Sequence, residues 1–321
     1  MEEDVISQEN PTILIIFGVT GDLVRKKLFP ALFELFKKNA LPPLFQVIGF
    51  SRRDISDGEF QEYVEKIISE RIQESSDEER KKFSSFFRYQ QGFFDTSDGY
   101  KNLKHILGMQ DGKWKTCANK LFYLAVPPEY YRQIFKNLAR SHLTDPCSPE
   151  EGLVPLEINH VSAQNAGDEK SERNSSYIDH SGKSLMGWTR IIVEKPFGKD
   201  LKTAEELDTM LGKLFKEEQV YRIDHYLGKE TVQNILAFRF SNSFLDPAWN
   251  KEYIEEISIR LLESGGVEDR GDFYDALGAL RDVGQNHLLQ LLALFTMENP
   301  GTFDGNSIRQ RRGELLKSLR I

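Results

Sequence analysis

Within nine residues, Arg222-Ile223-Asp224-His225-Tyr226-Leu227-Gly228-Lys229-Glu230, the chain gathers a carboxylate, an imidazole, a phenol and an ammonium. The apolar-polar spacing of residues 220–226 predicts a strand, and Val232, Ile235 and Leu236 follow the spacing of a helix that begins at Lys229. Lys229 would then stand in the first helical turn, where the helix dipole favours negative charge. A cation there is stabilised when a bound dianion lies between it and the backbone N–H groups. The cluster therefore suits a phosphorylated ligand, and the competing reading is a solvated lysine beside a core strand.

Further stretches carry residue types suited to a nucleotide. Gly18-Val19-Thr20-Gly21-Asp22-Leu23 follows an apolar run at 12–17 and precedes a helix with apolar Leu28, Leu32, Leu35 and Phe36, which Pro30 kinks or starts. A glycine pair alone is more often a turn; strand, glycines and helix in that order bring backbone N–H groups to a pyrophosphate. The next strand, 45–50, ends in Ser51-Arg52-Arg53 with no acid before Asp54. A carboxylate at that place binds the ribose 2′-OH of NAD, whereas an arginine accommodates the 2′-phosphate of NADP. NADP is the expected cofactor, with NAD as second choice. Glu194-Lys195-Pro196 ends the apolar strand at 189–193, which brings Lys195 to the carboxyl edge of the sheet; a cis bond before Pro196 would turn the strand end toward the cleft. A solvated loop lysine is the other use of that residue.

His287 stands near the start of an apolar helical stretch, 282–295, at the edge of a core. A lone histidine there is usually a satisfied core residue. Its chemical use would be as a base near neutral pH, with a carboxylate to fix its tautomer. Asp282, five residues earlier, falls on a different side of an α-helix, so Asp224 is the better partner.

These groups need elements to hold them. Apolar strands at 12–17, 45–50, 120–126 and 189–193 interleaved with helices predict a Rossmann-like doubly wound α/β domain over 12–221, with exposed helices across 54–82. The boundary falls near Arg222, and residues 222–321 form a second domain with a strand at 256–262 and a helix at 307–319. Residues 142–186, rich in Ser, Asn, Asp, Glu and Gly, read as a long loop. Asn174-Ser175-Ser176 matches a glycosylation sequon, which has no use without a signal peptide.

A length of 321 residues suits two domains, and a net charge of -8 argues against a nucleic-acid partner. No apolar run approaches the roughly 20 residues of a membrane span, and the acidic first ten residues lack a signal core, so no membrane partner and a cytoplasmic location are expected. Cys117 and Cys147 form no metal or redox motif, so a disulfide framework is not expected and a reduced compartment is compatible. Two polyanionic ligands on an acidic protein require local positive charge, for which Arg52, Arg53, Lys195, His225 and Lys229 are available.

Five stretches in order resemble the glucose-6-phosphate dehydrogenase family: the glycine turn, Phe122-Tyr123-Leu124-Ala125-Val126-Pro127-Pro128, Ile192-Val193-Glu194-Lys195-Pro196-Phe197-Gly198, the nonapeptide at 222–230, and Arg281-Asp282-Val283-Gly284-Gln285-Asn286-His287-Leu288. The similarity runs from about residue 12 to 321 with a break at 142–186. The resemblance implies oxidation of D-glucose 6-phosphate at C1 to 6-phospho-D-glucono-1,5-lactone with reduction of NADP+, the first step of the oxidative pentose phosphate pathway. It assigns Gly18, Thr20, Gly21, Asp22, Leu23, Arg52, Tyr131 and Lys195 to the cofactor, and His287 to proton removal with Asp224 orienting it. His225, Tyr226 and Lys229 are assigned to the phosphate, and Lys195, Glu263 and Asp282 to the sugar, with no metal. It implies that 222–321 begins an α+β domain with a large, mainly antiparallel sheet, that the chain is a C-terminally shortened member, and that a longer form is a homodimer or homotetramer. Two other readings remain: a sugar dehydrogenase sharing only the Glu-Lys-Pro motif, and a non-catalytic or weakly active cofactor-binding fragment.

Overall fold

The computed structural model describes residues 11–145, 187–198, 200–262, 266 and 271–320, and the chain divides into two compact units between Arg222 and Ile223. In the first unit, β1 (Thr12–Phe17) is buried from Ile13 onward, as a strand covered on both faces must be. β2 (Phe45–Ser51) and β4 (Asn119–Leu124) flank it in parallel, with Thr12 opposite both Phe45 and Asn119. β3 (Phe87–Gln91) joins β2, and β5 (Thr189–Glu194) joins β4, again in parallel. With β6 (Val220–Ile223) the order is β3-β2-β1-β4-β5-β6. The order reverses at β1 and β4, and ligands of doubly wound sheets bind outside the carboxyl ends of strands at such a switch point.

Strand alternation builds two cores. Ile13, Ile15 and Phe17 point into one with Ile48, Phe50 and Phe122, and Leu14 and Ile16 point into the other with Val47, Phe29 and Phe60. The helix after the glycines differs from its sequence reading. A π-helical turn, Val24–Leu28, comes first, and α1 (Phe29–Lys37) begins with Pro30 in its first turn. Pro30 has no N–H to give to an α-helical ladder, which is why the regular helix restarts at this point. Its buried face is Phe29 and Phe33, while Leu35 is exposed.

The charged stretch after β2 folds as α2 (Asp57–Arg71) and α3 (Asp77–Ser84), each opened by a reciprocal capping box, Ser56 with Glu59 and Ser76 with Glu79. α2 is not merely exposed: Phe60, Val64, Ile67 and Ile68 at helical spacing bury it on the sheet. α4 (Asp98–Trp114), α5 (Tyr131–Arg140) and α6 (Leu201–Gly212) complete the unit. Cys117, two residues before β4, is disulfide-bonded, although the cysteine count argued against a disulfide framework; the sequence holds one other cysteine, Cys147, outside the described residues. The sequon and most of 142–186 also lie outside them.

Among the described residues after β6, the longer elements of the second unit are helices. α7 (Glu230–Phe240) is followed by α8 (Gly271–Ala279), a π-helical segment Leu280–Leu288, α9 (Leu289–Thr296) and α10 (Gly305–Ser318). The expected strand at 256–262 does not form among the described residues, although its burial still alternates, with Ile257, Ile259 and Leu261 the more covered positions. Alternation specifies which side faces inward, while a strand also needs a neighbour for its N–H and C=O groups. Among the described residues no helix is long and apolar enough to cross a membrane.

Candidate active site

The turn after β1 depends on glycine at position 18. Its φ is +78°, and a Cβ there would lie 2.6 Å from both the Ala125 carbonyl oxygen and a Val126 methyl. Gly21 closes the turn by donating its amide to Gly18 O at 2.9 Å, and the helix follows. The Thr20 hydroxyl bonds the Ser51 hydroxyl at 3.0 Å, which ties this turn to the end of β2, where Arg52 and Arg53 are exposed. Asp22 holds Lys26 at 2.9 Å and Arg25 at 2.8 Å; the hydrogen bond and charge of Lys26, then Arg25, keep its carboxyl below its usual range. Leu23 is exposed beside it. The glycine turn and the arginine turn thus stand at the carboxyl ends of adjacent strands, a place fit for a dinucleotide.

At the end of β5 the Lys195–Pro196 bond is cis and Lys195 is half-buried. The preceding Glu194 carboxyl accepts the Tyr123 hydroxyl; burial pushes Glu194 up, and that bond and the Lys195 charge oppose the shift. Tyr131 is fully buried and its hydroxyl serves the Glu194 backbone, donating to O at 2.9 Å and accepting from N at 3.2 Å. Tyr131 thus braces the Glu194-Lys195 segment at the carboxyl end of β5. Tyr123 and Tyr131 act through this segment, a role that neither strand pattern nor spacing announces.

In the second unit, Asp224, His225 and Tyr226 lie in a turn after β6, since the strand ends at Ile223 and not at Tyr226. Asp224 itself makes the turn, its Oδ1 accepting the Tyr226 amide at 3.0 Å. Lys229 is the residue before α7 rather than a member of its first turn: its φ/ψ is extended while its carbonyl accepts from Val232 and Gln233. No side chain caps α7. The Lys229 ammonium lies 3.7 Å from the centre of the Tyr226 ring.

His287 is 2 % exposed, and its Nδ1 lies 2.7 Å from the same Asp224 Oδ1. Tyr226 stacks on its ring at 4.0 Å between centres, and the His225 ring lies 4.8 Å from it, edge-on. With Nδ1–H given to the carboxylate, the basic lone pair is on Nε2, which is the arrangement of an oriented general base. The donor atoms of Asp224, His225 and His287 lie within 4.8 Å of one another, a spacing that also suits a metal ion. The Asp224–His287 hydrogen bond commits two facing donors to each other, and so favours the base.

His287 sits on the π-helical segment, as does Asp282. A π-helix bonds residue i to i+5, so two residues five apart stand much nearer one line than they do on an α-helix. The α-helical spacing that set Asp282 aside does not apply here. Glu263 lies outside the described residues. Sequence reasoning missed Arg312 on α10, which hydrogen-bonds Gln290; burial pushes its guanidinium down, and the Asp224 charge opposes this. The remaining oxygen of Asp224 and the Arg312 Nε are both buried without a hydrogen-bond partner. No local pattern marks Arg312, which lies on α10, a helix packed on α9 and distant in sequence from Asp224.

The chain matches two family models, glucose-6-phosphate dehydrogenase, NAD binding domain, over residues 15–157 and 169–234, and glucose-6-phosphate dehydrogenase, C-terminal domain, over 236–321. The break in the match, 158–168, is narrower than the 142–186 expected from the sequence. A glucose-6-phosphate 1-dehydrogenase of Chlamydia muridarum is 38 % identical over 312 residues, 96 % of this chain and 55 % of that protein. Its namesake from Saccharomyces cerevisiae is 37 % identical over 99 % of this chain and 56 % of that protein. Among solved structures, a glucose-6-phosphate dehydrogenase in complex with its substrate glucose-6-phosphate superposes with a TM-score of 0.77 at 36 % identity, covering 97 % of this chain and 56 % of that one. The Mycobacterium avium glucose-6-phosphate 1-dehydrogenase gives 0.74 at 31 % identity, covering 96 % and 57 %. The chain spans about half the length of the curated relatives it matches.

Proposed function

The chain belongs to the glucose-6-phosphate dehydrogenase family, and from that premise we propose that it oxidises D-glucose 6-phosphate at C1 to 6-phospho-D-glucono-1,5-lactone while reducing NADP+. The observation that carries the reading is the Asp224–His287 hydrogen bond at 2.7 Å, set beside His225, Tyr226 and Lys229. His287 Nε2 takes the proton of the C1 hydroxyl, and Asp224 holds the ring in the tautomer that permits it and steadies the imidazolium that results. The dinucleotide, when bound, supplies the hydride acceptor. His225, Tyr226 and Lys229 bind the sugar phosphate, and Lys195, Glu263 and Asp282 bind the rest of the sugar. Residues 12–221 are the NADP-binding part, with Gly18, Thr20, Gly21, Asp22, Leu23, Arg52, Tyr131 and Lys195 as its contacts. Residues 222–321 are part of a substrate-binding and dimerisation domain, of which a longer form is a homodimer or homotetramer in the cytoplasm.

The test is the absorbance of reduced nicotinamide when the chain, and a longer version where the gene encodes one, is given NADP+ with glucose 6-phosphate or with free glucose. Reduction with the phosphorylated sugar alone supports the proposal. Equal rates with free glucose would sink it. A second reading, a cofactor-binding fragment with little or no turnover, is favoured by the half-length match; cofactor binding without reduction in this chain, and with reduction in the longer one, would select it.

NADP preference is assigned to Arg52, exposed at the end of β2 where no carboxylate waits for a ribose 2′-OH. Arg52→Ala should weaken NADP+ binding about 10-fold or more, the scale of a lost charged hydrogen bond, and leave NAD+ nearly unchanged. Calorimetric titration with each cofactor decides it, and a parallel loss of both would show that Arg52 supports the fold instead.

A further inference from the structure

All three carbonyls of the turn that bears the two arginines are tied to the neighbouring edge strand. Ser51 O accepts the Gly92 amide at 2.9 Å, and the Tyr89 hydroxyl shares its one proton between Arg53 O at 2.7 Å and Ser51 O at 3.0 Å. Arg52 O accepts from Gln91 Nε2 at 3.4 Å. Tyr89 is itself fixed at both ends. Its amide donates to Asp57 Oδ1 at 2.6 Å, at the start of α2, and its ring packs on Phe60 with centres 5.2 Å apart. It is 8 % exposed, and burial pushes its hydroxyl up, which keeps it a donor. The polar end of a core residue thus bridges the first and third carbonyls of a surface turn, while the side chains of Arg52 and Arg53 stay exposed.

A guanidinium recognises phosphate by a planar fork, so its usefulness depends on where its backbone is held. Ordering a loose turn at the moment of binding lowers affinity, and a turn already ordered avoids that loss. We infer that Tyr89 is a specificity-determining positioning residue: by bridging Ser51 O and Arg53 O it fixes the arginine turn for the ribose 2′-phosphate and so favours NADP over NAD. The inference rests on the assignment of Arg52 to that phosphate. NAD lacks the group, so its binding gains nothing from the order of this turn.

Tyr89→Phe tests it, because the substitution removes only the hydroxyl and keeps the ring on Phe60. NADP+ and NAD+ affinities are measured by calorimetry on the full chain and on the variant. The expected result is NADP+ weakened about 3- to 10-fold, the loss of one ordinary hydrogen bond, with NAD+ unchanged. Unchanged discrimination in the variant, alongside a parent chain that does prefer NADP+, overturns the role of Tyr89 and leaves that of Arg52 standing. Equal weakening of both cofactors, the mark of a general loosening of the unit, overturns it too. A parent chain that binds NADP+ and NAD+ alike overturns the Arg52 assignment and this inference together.

Discussion

His287→Asn, in a catalytically competent form of the protein, is expected to lower kcat by about 10² to 10⁴, or roughly 3 to 5 kcal/mol of barrier, while both ligands still bind. Asparagine keeps a polar group within reach of Asp224 and removes the basic nitrogen. The prediction is sharp because the site admits a competing account: His287 is 2 % exposed and stacked on Tyr226, as a structural histidine could be. The two accounts part in the measurements. Loss of a base lowers kcat and spares ground-state binding, whereas loss of packing lowers the melting temperature and spares turnover in the folded fraction. Asp224→Asn should also lower kcat, since the Nδ1–H bond that sets the tautomer is then weakened or reversed. A His287→Asn protein that melts early yet turns over normally would show that the mechanism is wrong.

Lys229→Ala should weaken apparent glucose 6-phosphate affinity roughly 10- to 150-fold, from a charged hydrogen bond worth on the order of 1.5–3 kcal/mol. The geometry adds a reason. The ammonium lies over the Tyr226 ring at 3.7 Å, at the entry to an uncapped helix, so it is held at the cluster instead of wandering in solvent. NADP+ binding should barely change, since Lys229 is not among the residues assigned to the cofactor. Titration with each ligand in turn is the measurement, and equal losses for both would mean that the substitution disturbs the fold.

How much of this was legible beforehand differs element by element. The strands read at 12–17 and 45–50 were legible because a strand buried on both faces is a continuous apolar run, and the burial of β1 and β2 is what such runs predict; that read at 189–193 formed too, with burial that alternates along it. Gly18 was readable as a turn residue, although its need became specific only when Ala125 and Val126 closed on it. The helix boundaries were less legible. Two π-helical segments, at Val24–Leu28 and Leu280–Leu288, stand where the apolar period promised α-helix, and the second changes which residues share a line with His287.

By itself, the sequence determined residue chemistry and local order: which groups could serve as acid, base, cation or hydroxyl, and which short runs are strands or helices. It also determined the match to a family, since five motifs in order are a one-dimensional property. The tertiary structure decided the pairings. Tyr131 with Glu194 and Tyr89 with Ser51 and Arg53 had no sequence signal, whereas Asp224 with His287 was named from the sequence and packing brought the two to 2.7 Å. It also placed Arg312, which no motif contains, where the charge of Asp224 acts on it. The physical reason is range: propensity and periodicity act over a few residues, whereas a hydrogen bond or a charge acts over a few ångströms, and only the packed fold brings distant residues that close.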